Sequence, residues 1–165
     1  MKFVGIDPGK LGALACIDTA TSEILIFPYE KGYTEFIKQN QDAIYVIEKV
    51  QSFPRDTPMT AFAFGMGYGQ ILGNLEVYGI SPYKVRPQDW KQEFGLTKDK
   101  QASINKAKDL YPQVSLLKTP RCSKDSDGCA EALLIAEFAR RKGEEWLQVY
   151  SNAQDKKPPK RKKSK

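Results

Sequence analysis

The sequence contains no histidine, and this absence excludes several kinds of chemistry. Serine–histidine and cysteine–histidine hydrolysis, nucleases with a histidine general base and zinc sites with histidine ligands all need a side chain that is missing. Any catalysis must therefore rest on carboxylates, lysines, hydroxyls or bound metal ions.

Paired cysteines and long apolar runs are missing as well. Cys16, Cys122 and Cys129 are odd in number and have no C-x-x-C spacing, so we expect thiols in a reducing compartment. No apolar run approaches the ~18 residues of a membrane span, and no basic n-region with an apolar stretch opens the sequence. These features predict an intracellular protein without a membrane partner.

Positive charge is concentrated at one end of the chain. The 165 residues fit one domain, and their formal net charge is +6. Residues 152–165 hold seven Lys and Arg against Asp155, which leaves 1–151 formally neutral. We therefore predict a folded domain over 1–151 and a disordered basic tail over 152–165. The tail would attract polyphosphate, and a merely solubilising role is the alternative.

Apolar runs and turn signals predict alternating strands and helices. Three strands with short connections favour an antiparallel opening, and a fourth strand that follows a helix should return parallel to the first. The predicted strands are 2–7, 12–18, 23–28, 43–47 (ending at Glu48) and 83–86. The predicted helices are 33–41, 58–78, 88–95, 100–110 and 126–142.

Two acidic residues stand where predicted strands end. Asp7 closes the first strand before the turn Asp7-Pro8-Gly9, and Glu48 closes the fourth. Because parallel neighbours end on the same side of a sheet, Glu48 should lie beside Asp7. Charge is rarely buried without a partner, so Asp7 is either a turn-capping residue or a metal ligand at the rim of the sheet.

A second acidic pair lies on the last predicted helix. Asp127 and Glu131 are four residues apart and share a helix face, where like charges repel. They either complement the helix dipole, as acidic residues in a first turn do, or share a divalent cation. With Asp7 and Glu48 they would form a set of hard oxygen ligands that suits Mg²⁺ or Mn²⁺.

The segments that carry these carboxylates resemble one known family. The stretches are G-I-D-P-G-K-L-G-A-L at 5–14, V-I-E-K-V-Q at 46–51 and D-G-C-A-E-A-L-L-I-A at 127–136. Together they resemble the RuvC-type Holliday junction resolvases of the RNase H-like superfamily, over about residues 1–145. The stretch F-x-F-G-x-G-Y-G-x-x-L-G at 62–73 resembles the phage and organelle branch.

The resemblance implies an α/β fold, with a mixed five-stranded sheet (an antiparallel three-stranded opening plus parallel strands) flanked by helices. It also implies a two-fold homodimer and metal-dependent nicking of two strands of branched DNA. The family's catalytic and metal-binding carboxylates fall on Asp7, Glu48, Asp127 and Glu131. Bacterial members usually space the last pair three apart and end it with Asp; the four-residue spacing here leaves Asp125 as a possible substitute for Asp127.

Cations and one aromatic side chain are candidates for DNA contacts. Lys100 or Lys124 would stabilise the phosphate undergoing attack, because a fixed positive charge in a dry site lowers the barrier. A family aromatic that wedges into the junction would match Phe53 or Phe62. Phosphates of the DNA arms would be held by a set of exposed cations: Lys49, Arg55, Arg86 and Arg121.

The glycine stripe of the second helix and the choice of substrate leave alternatives open. Gly65, Gly69 and Gly73 recur every four residues, which indicates close packing against the sheet or against a second subunit, and we favour the sheet. The same carboxylates would serve an RNase H-like nuclease that cuts flaps, forks or RNA–DNA hybrids. A non-cleaving protein that binds branched DNA is a further alternative.

Overall fold

The computed structural model describes residues 1–29, 32–51, 54, 56–97 and 99–155. Over these ranges the chain forms five strands and five helices in the order β1-β2-β3-α1-β4-α2-β5-α3-α4-α5. The strands are β1 (Lys2–Asp7), β2 (Ala13–Asp18), β3 (Ile24–Pro28), β4 (Ile44–Glu48) and β5 (Tyr83–Val85). The helices are α1 (Thr34–Gln39), α2 (Pro58–Val77), α3 (Pro87–Glu93), α4 (Lys100–Leu110) and α5 (Asp127–Asp155).

The strands form one mixed sheet in the order β3-β2-β1-β4-β5. β1, β2 and β3 are antiparallel neighbours, whereas β4 pairs in parallel with both β1 and β5. The predicted fold class, with its antiparallel three-stranded opening, is confirmed. Ile6 pairs with Ile47, so the next residues in each strand, Asp7 and Glu48, end neighbouring strands at the same edge of the sheet.

Different helices cover the two faces of the sheet, and the two-residue alternation of the strands decides which side chain meets which layer. Ile6 packs in the layer of α1 and α2, whereas Phe3 and Val46 pack in the layer of α5. Asp7 lies four positions after Phe3 along β1, and Glu48 lies two positions after Val46 along β4, so each acidic residue is on the same side of its strand as that core residue. Both acidic residues therefore belong to the face that α5 covers.

α5 approaches the sheet at distances that only glycine permits. A Cβ atom on Gly5 would lie 2.2 Å from the backbone nitrogen of Ala136, and one on Gly128 would lie 2.1 Å from the carbonyl oxygen of Leu11. Real Cβ atoms essentially never approach other atoms to under 3.0 Å. The two glycines thus bring the helix backbone onto β1 and onto the loop after it, which fixes the position of the first turns of α5.

The glycine stripe of α2 does not pack on the sheet, so that prediction is wrong. A Cβ atom on Gly65, Gly69 or Gly73 would meet nothing within 4 Å. All of α2 is described, and its buried residues are Ile71 and Leu75, which lie on the opposite side of the helix from the glycines. The sheet is therefore met by these two aliphatic side chains, and the stripe faces outward.

The last helix is longer than the sequence predicts. α5 runs to Asp155 and is interrupted at Gly143, whose φ of 75° lies in the left-handed region that favours glycine. Beyond this kink Leu147 is fully buried, so the second segment packs on the domain. The helix ends four residues after the predicted domain boundary at 151, and residues 156–165 of the predicted tail lie outside the described residues.

The three cysteines form no disulfide with one another, as predicted, and Cys16 and Cys129 are buried. None of the helices in the described part of the chain has the length and apolar character that a bilayer span requires.

Candidate active site at the ends of the central strands

Asp7 is the centre of the acidic cluster. Its Oδ1 accepts a hydrogen bond from the backbone N–H of Gly9 at 3.0 Å, and its carbonyl oxygen accepts one from the hydroxyl of Tyr29. Burial, with repulsion from Glu131, Glu48 and Asp127, raises the pKa of the Asp7 carboxyl to about 7, although the hydrogen bond from Gly9 acts in the opposite direction. The predicted turn-capping bond is present, and the same carboxylate is electrostatically coupled to all three of the other predicted site residues.

Glu48 is held by a neutral donor. The indole Nε1–H of Trp90, on α3, donates to Oε2 of Glu48 at 2.8 Å. Burial raises the pKa of Glu48 above its ordinary value and repulsion from Glu131 adds to this rise, while the Trp90 hydrogen bond and the charge of Lys91 act against it. The donor that fixes this oxygen of Glu48 is thus uncharged.

Asp127 and Glu131 project from the first turns of α5 and are each paired with a lysine. Nζ of Lys91 lies 2.7 Å from Oε1 of Glu131, which also accepts a hydrogen bond from the hydroxyl of Ser103 at 3.1 Å. Nζ of Lys100 pairs with Oδ2 of Asp127. Burial acts to raise the pKa of Asp127, but the hydrogen bond and charge of Lys100 outweigh it and hold that pKa below its usual value.

Asp125, the possible substitute for Asp127, has a different lysine partner. Its Oδ2 pairs with Nζ of Lys108 on α4, while Asp127 is one of the residues that repel Asp7. Both aspartates have a lysine partner, and Asp127 is the one whose charge acts on Asp7.

The donor set fits a hard divalent cation in its chemistry. It consists of carboxylate oxygens without histidine or thiolate, and two ammonium groups face four carboxylates, which leaves two negative charges uncompensated when all are ionised. Within the described residues, however, no three Asp, Glu or Cys side chains are arranged so that they would enclose an ion. The two helix-borne carboxylates are instead paired with Lys91 and Lys100.

Comparison with solved structures identifies the fold that carries this cluster. The structure of Thermus thermophilus RuvC in complex with Holliday junction substrate matches with a TM-score of 0.61 and 18% sequence identity, over 87% of this chain and 97% of that chain. Another structure of Thermus thermophilus RuvC matches with a TM-score of 0.55 and 20% identity, over the same shares of the two chains. The fold is RuvC-like. No family model matches the sequence, and no curated protein matches it either.

Apart from Lys100, which pairs with Asp127, the predicted DNA-contacting residues fall into three groups. Lys49, Arg121 and Lys124 are exposed: Lys49 directly after β4, the other two in the segment before α5. Arg86 forms a bidentate pair with Asp89 of the same chain: its Nε and one terminal nitrogen donate to the two carboxylate oxygens, both at 2.7 Å. Phe53 and Arg55 lie outside the described residues.

Sequence reasoning missed several residues that contact the carboxylates. Lys91, Trp90 and Ser103 come from α3 and α4, and each binds an oxygen of Glu131 or Glu48. Lys91 is one lysine among many on predicted polar helix faces, so no signal in the sequence distinguishes it.

Proposed function

We propose that this protein is a metal-dependent endonuclease that resolves four-way DNA junctions by paired nicks. The observation that carries the proposal is the position of Asp7 and Glu48 at the ends of two neighbouring parallel strands, on the face where the first turns of α5 bring Asp127 and Glu131. One of the RuvC structures reported above is a complex with Holliday junction substrate, which supports the proposed substrate class. We also propose that the protein belongs to the phage and organelle branch, on the sequence of residues 62–73.

The four carboxylates would hold Mg²⁺, or Mn²⁺ in its place. When bound, such ions supply an activated water at neutral pH and stabilise the leaving oxygen of a phosphodiester. The chain's own residues then have two tasks: Asp7 and Glu48 present oxygens from the strand ends, and the lysines balance charge. Without cations, four clustered carboxylates would repel a phosphate group.

Lys91 and Lys100 are the cations that pair directly with the acidic cluster. Each binds a carboxylate of α5, and Lys100 is largely exposed, so it can exchange Asp127 for a phosphate oxygen. We assign to Lys100 the electrostatic stabilisation of the phosphate undergoing attack, with Lys124 as the alternative. We assign DNA-arm contacts to Lys49, Arg55, Arg121 and Lys124, and Phe53 remains a candidate for the aromatic that wedges into the junction. Arg86 is assigned a lesser part, because Asp89 engages its guanidinium.

The outward stripe of α2 supports the proposed homodimer. Phe62, Met66 and Val77 are exposed apolar side chains on the same side of α2 as Gly69 and Gly73. An exposed apolar strip lined by glycines allows two helix backbones to approach closely, and a second copy would cover it. Met66→Asp should convert a dimer to monomers in light scattering; an unchanged mass would remove this assignment.

A cleavage panel tests the proposal. Four-way junctions, three-way junctions, flaps, RNA–DNA hybrids and linear duplexes are incubated with the protein and Mg²⁺, with Asp7→Asn as the inactive variant and Asp109→Asn, at an exposed site on α4, as the matched control. We expect the wild type and Asp109→Asn to make paired nicks in the four-way junction. Asp7→Asn should bind the junction without nicking it. Preferred cutting of flaps or hybrids would redirect the substrate, and binding without cutting would indicate a DNA-binding protein.

A further inference from the structure

Trp90 occupies an unusual position for a core tryptophan. It is fully buried on α3, yet its indole N–H is directed to a carboxylate oxygen of Glu48 at 2.8 Å. A buried indole N–H needs a partner, and a backbone carbonyl would satisfy it at no electrostatic cost. Here the partner is an acidic side chain at the end of β4, in the group that also contains Asp7 and Glu131.

The ring of Trp90 also faces the neighbouring cation. Nζ of Lys91 lies 4.9 Å from the centre of the indole ring and 2.7 Å from Oε1 of Glu131. Trp90 therefore contacts Glu48 through the edge of its ring and Lys91, the partner of Glu131, through the face. A displacement of the ring would move the surroundings of two carboxylates at once.

The helix that carries Trp90 is braced from the other side. The hydroxyl of Tyr150 donates to Asp89 and accepts a hydrogen bond from the backbone N–H of Arg86 at 3.3 Å. Arg86 itself binds Asp89, so the first turn of α3 is tied to the last segment of α5. The indole is thus presented to Glu48 from a fixed support.

The identity of the donor matters as much as its position. Lys91 and Lys100 neutralise the carboxylates that they bind, whereas an indole N–H fixes a carboxylate and leaves its charge intact. Donors behind a metal ligand orient it, and their loss typically weakens metal binding about 10–100-fold. Glu48 is the member of the group whose side-chain hydrogen bond comes from a neutral ring.

We propose that Trp90 is a positioning residue for the metal site: its indole N–H fixes one oxygen of Glu48 so that the carboxylate is preorganised to bind a divalent cation. The inference rests on the proposed metal-dependent function. Neither the sequence nor the resemblance indicated Trp90, and through it the α3 helix takes part in the site.

Metal affinity of the folded protein separates this role from simple packing. Mn²⁺ binding is measured by titration calorimetry for the wild type, Trp90→Phe, which keeps an aromatic ring but removes the donor, and Glu48→Gln. Trp146→Phe is the matched control, because the chain has two tryptophans and Trp146 packs against Phe138 and Tyr150 instead of a carboxylate. We expect Trp90→Phe to bind about 10–100-fold more weakly and Trp146→Phe to bind as the wild type does.

The outcomes distinguish this inference from the proposed function. If the wild type does not bind Mn²⁺, or if Glu48→Gln binds it as well as the wild type does, the proposed metal-dependent function fails. If the wild type binds and Trp90→Phe binds equally well, the positioning role is overturned while the function stands.

A second measurement needs no variant at position 90. In the NMR spectrum of ¹⁵N-labelled Trp146→Phe, a single indole N–H signal belongs to Trp90. Saturation with Mg²⁺ should shift this signal, because its acceptor changes electronic environment when Glu48 binds the ion. A signal that stays unmoved while Mg²⁺ binding is detected by calorimetry would overturn the proposal, even if Trp90→Phe fails to fold.

Discussion

Two acidic regions on the face covered by α5 solve the problem of buried charge in opposite ways. Glu137, in the middle of α5, is buried and accepts hydrogen bonds from Arg140, Arg141 and the hydroxyl of Tyr111. Burial acts to raise the pKa of Glu137, but these partners outweigh it and hold the pKa below its ordinary value. Asp7 has like-charged neighbours instead, and its pKa is raised to about 7.

The difference separates a structural carboxylate from a candidate catalytic one. A buried charge that serves the fold is surrounded by cations and donors, as Glu137 is. A charge that weakens the fold persists where something outside the chain compensates it, and perturbed groups of this kind concentrate at functional sites. Asp7 and its neighbours fit the second description, which is why a divalent cation is the expected partner.

The largest expected effect is on catalysis. Asp7→Asn should lower the nicking rate at least ~10³-fold, because a bound metal would contribute several kcal/mol of transition-state stabilisation and Asp7 is its proposed central ligand. Glu137→Gln, the same loss of charge in the other region, should leave the rate per folded molecule within about threefold of the wild type (about 0.6 kcal/mol of barrier). Single-turnover cleavage of a labelled junction measures both, and equal losses in the two variants would erase the distinction.

The second effect is on stability and runs the other way. Glu137→Gln should lower the free energy of unfolding by about 1–2 kcal/mol, because the bonds from the half-exposed Arg140 and Arg141 and from Tyr111 to a buried carboxylate become weaker bonds to a neutral amide. Urea denaturation with the metal chelated measures the loss. Since the folded pKa of Glu137 is lowered, its contribution is present above the unfolded pKa and disappears as pH falls through the folded value. A variant as stable as the wild type at pH 7 would show that the cluster contributes little.

A third effect concerns the pH dependence of the metal-free protein. The pKa of Asp7 rises from 3.8 to about 7 on folding, so its ionisation destabilises the fold increasingly as pH rises between these values. Asp7→Asn should therefore be more stable than the wild type at pH 8, by about 1–3 kcal/mol, and similar at pH 4. Thermal unfolding in a chelator measures the difference. A variant less stable than the wild type at pH 8 would show that Asp7 is not strained by its acidic neighbours.

The smallest effect belongs to neither region. Removal of residues 156–165 deletes seven basic residues and should weaken junction binding about tenfold at low salt. The slope of log K against log salt should flatten by about 0.9 for each phosphate that the shortened protein no longer neutralises. Nicking of a saturated junction should continue at the wild-type rate. An unchanged salt slope would assign the tail a solubilising role.

The sequence was sufficient where local pattern decides structure. Asp7 and Glu48 could be placed side by side because apolar strands, short turns and a helical crossover dictate which strands are parallel. The outward stripe of α2 could not be predicted, because glycines at four-residue spacing indicate a close neighbour without indicating which one. Lys91 and Trp90 could not be assigned either, since their contacts depend on how α3 packs against the end of β4.

Diffraction from Mn²⁺-soaked crystals, measured at a wavelength where manganese scatters anomalously, tests most directly whether the acidic cluster is a metal site. We predict an anomalous peak in contact with Asp7 and Glu48, with the carboxylates of Asp127 and Glu131 released by Lys100 and Lys91 and turned toward the ion. Manganese bound only elsewhere, with both lysine pairs intact and Asp7 without a metal contact, would contradict this prediction.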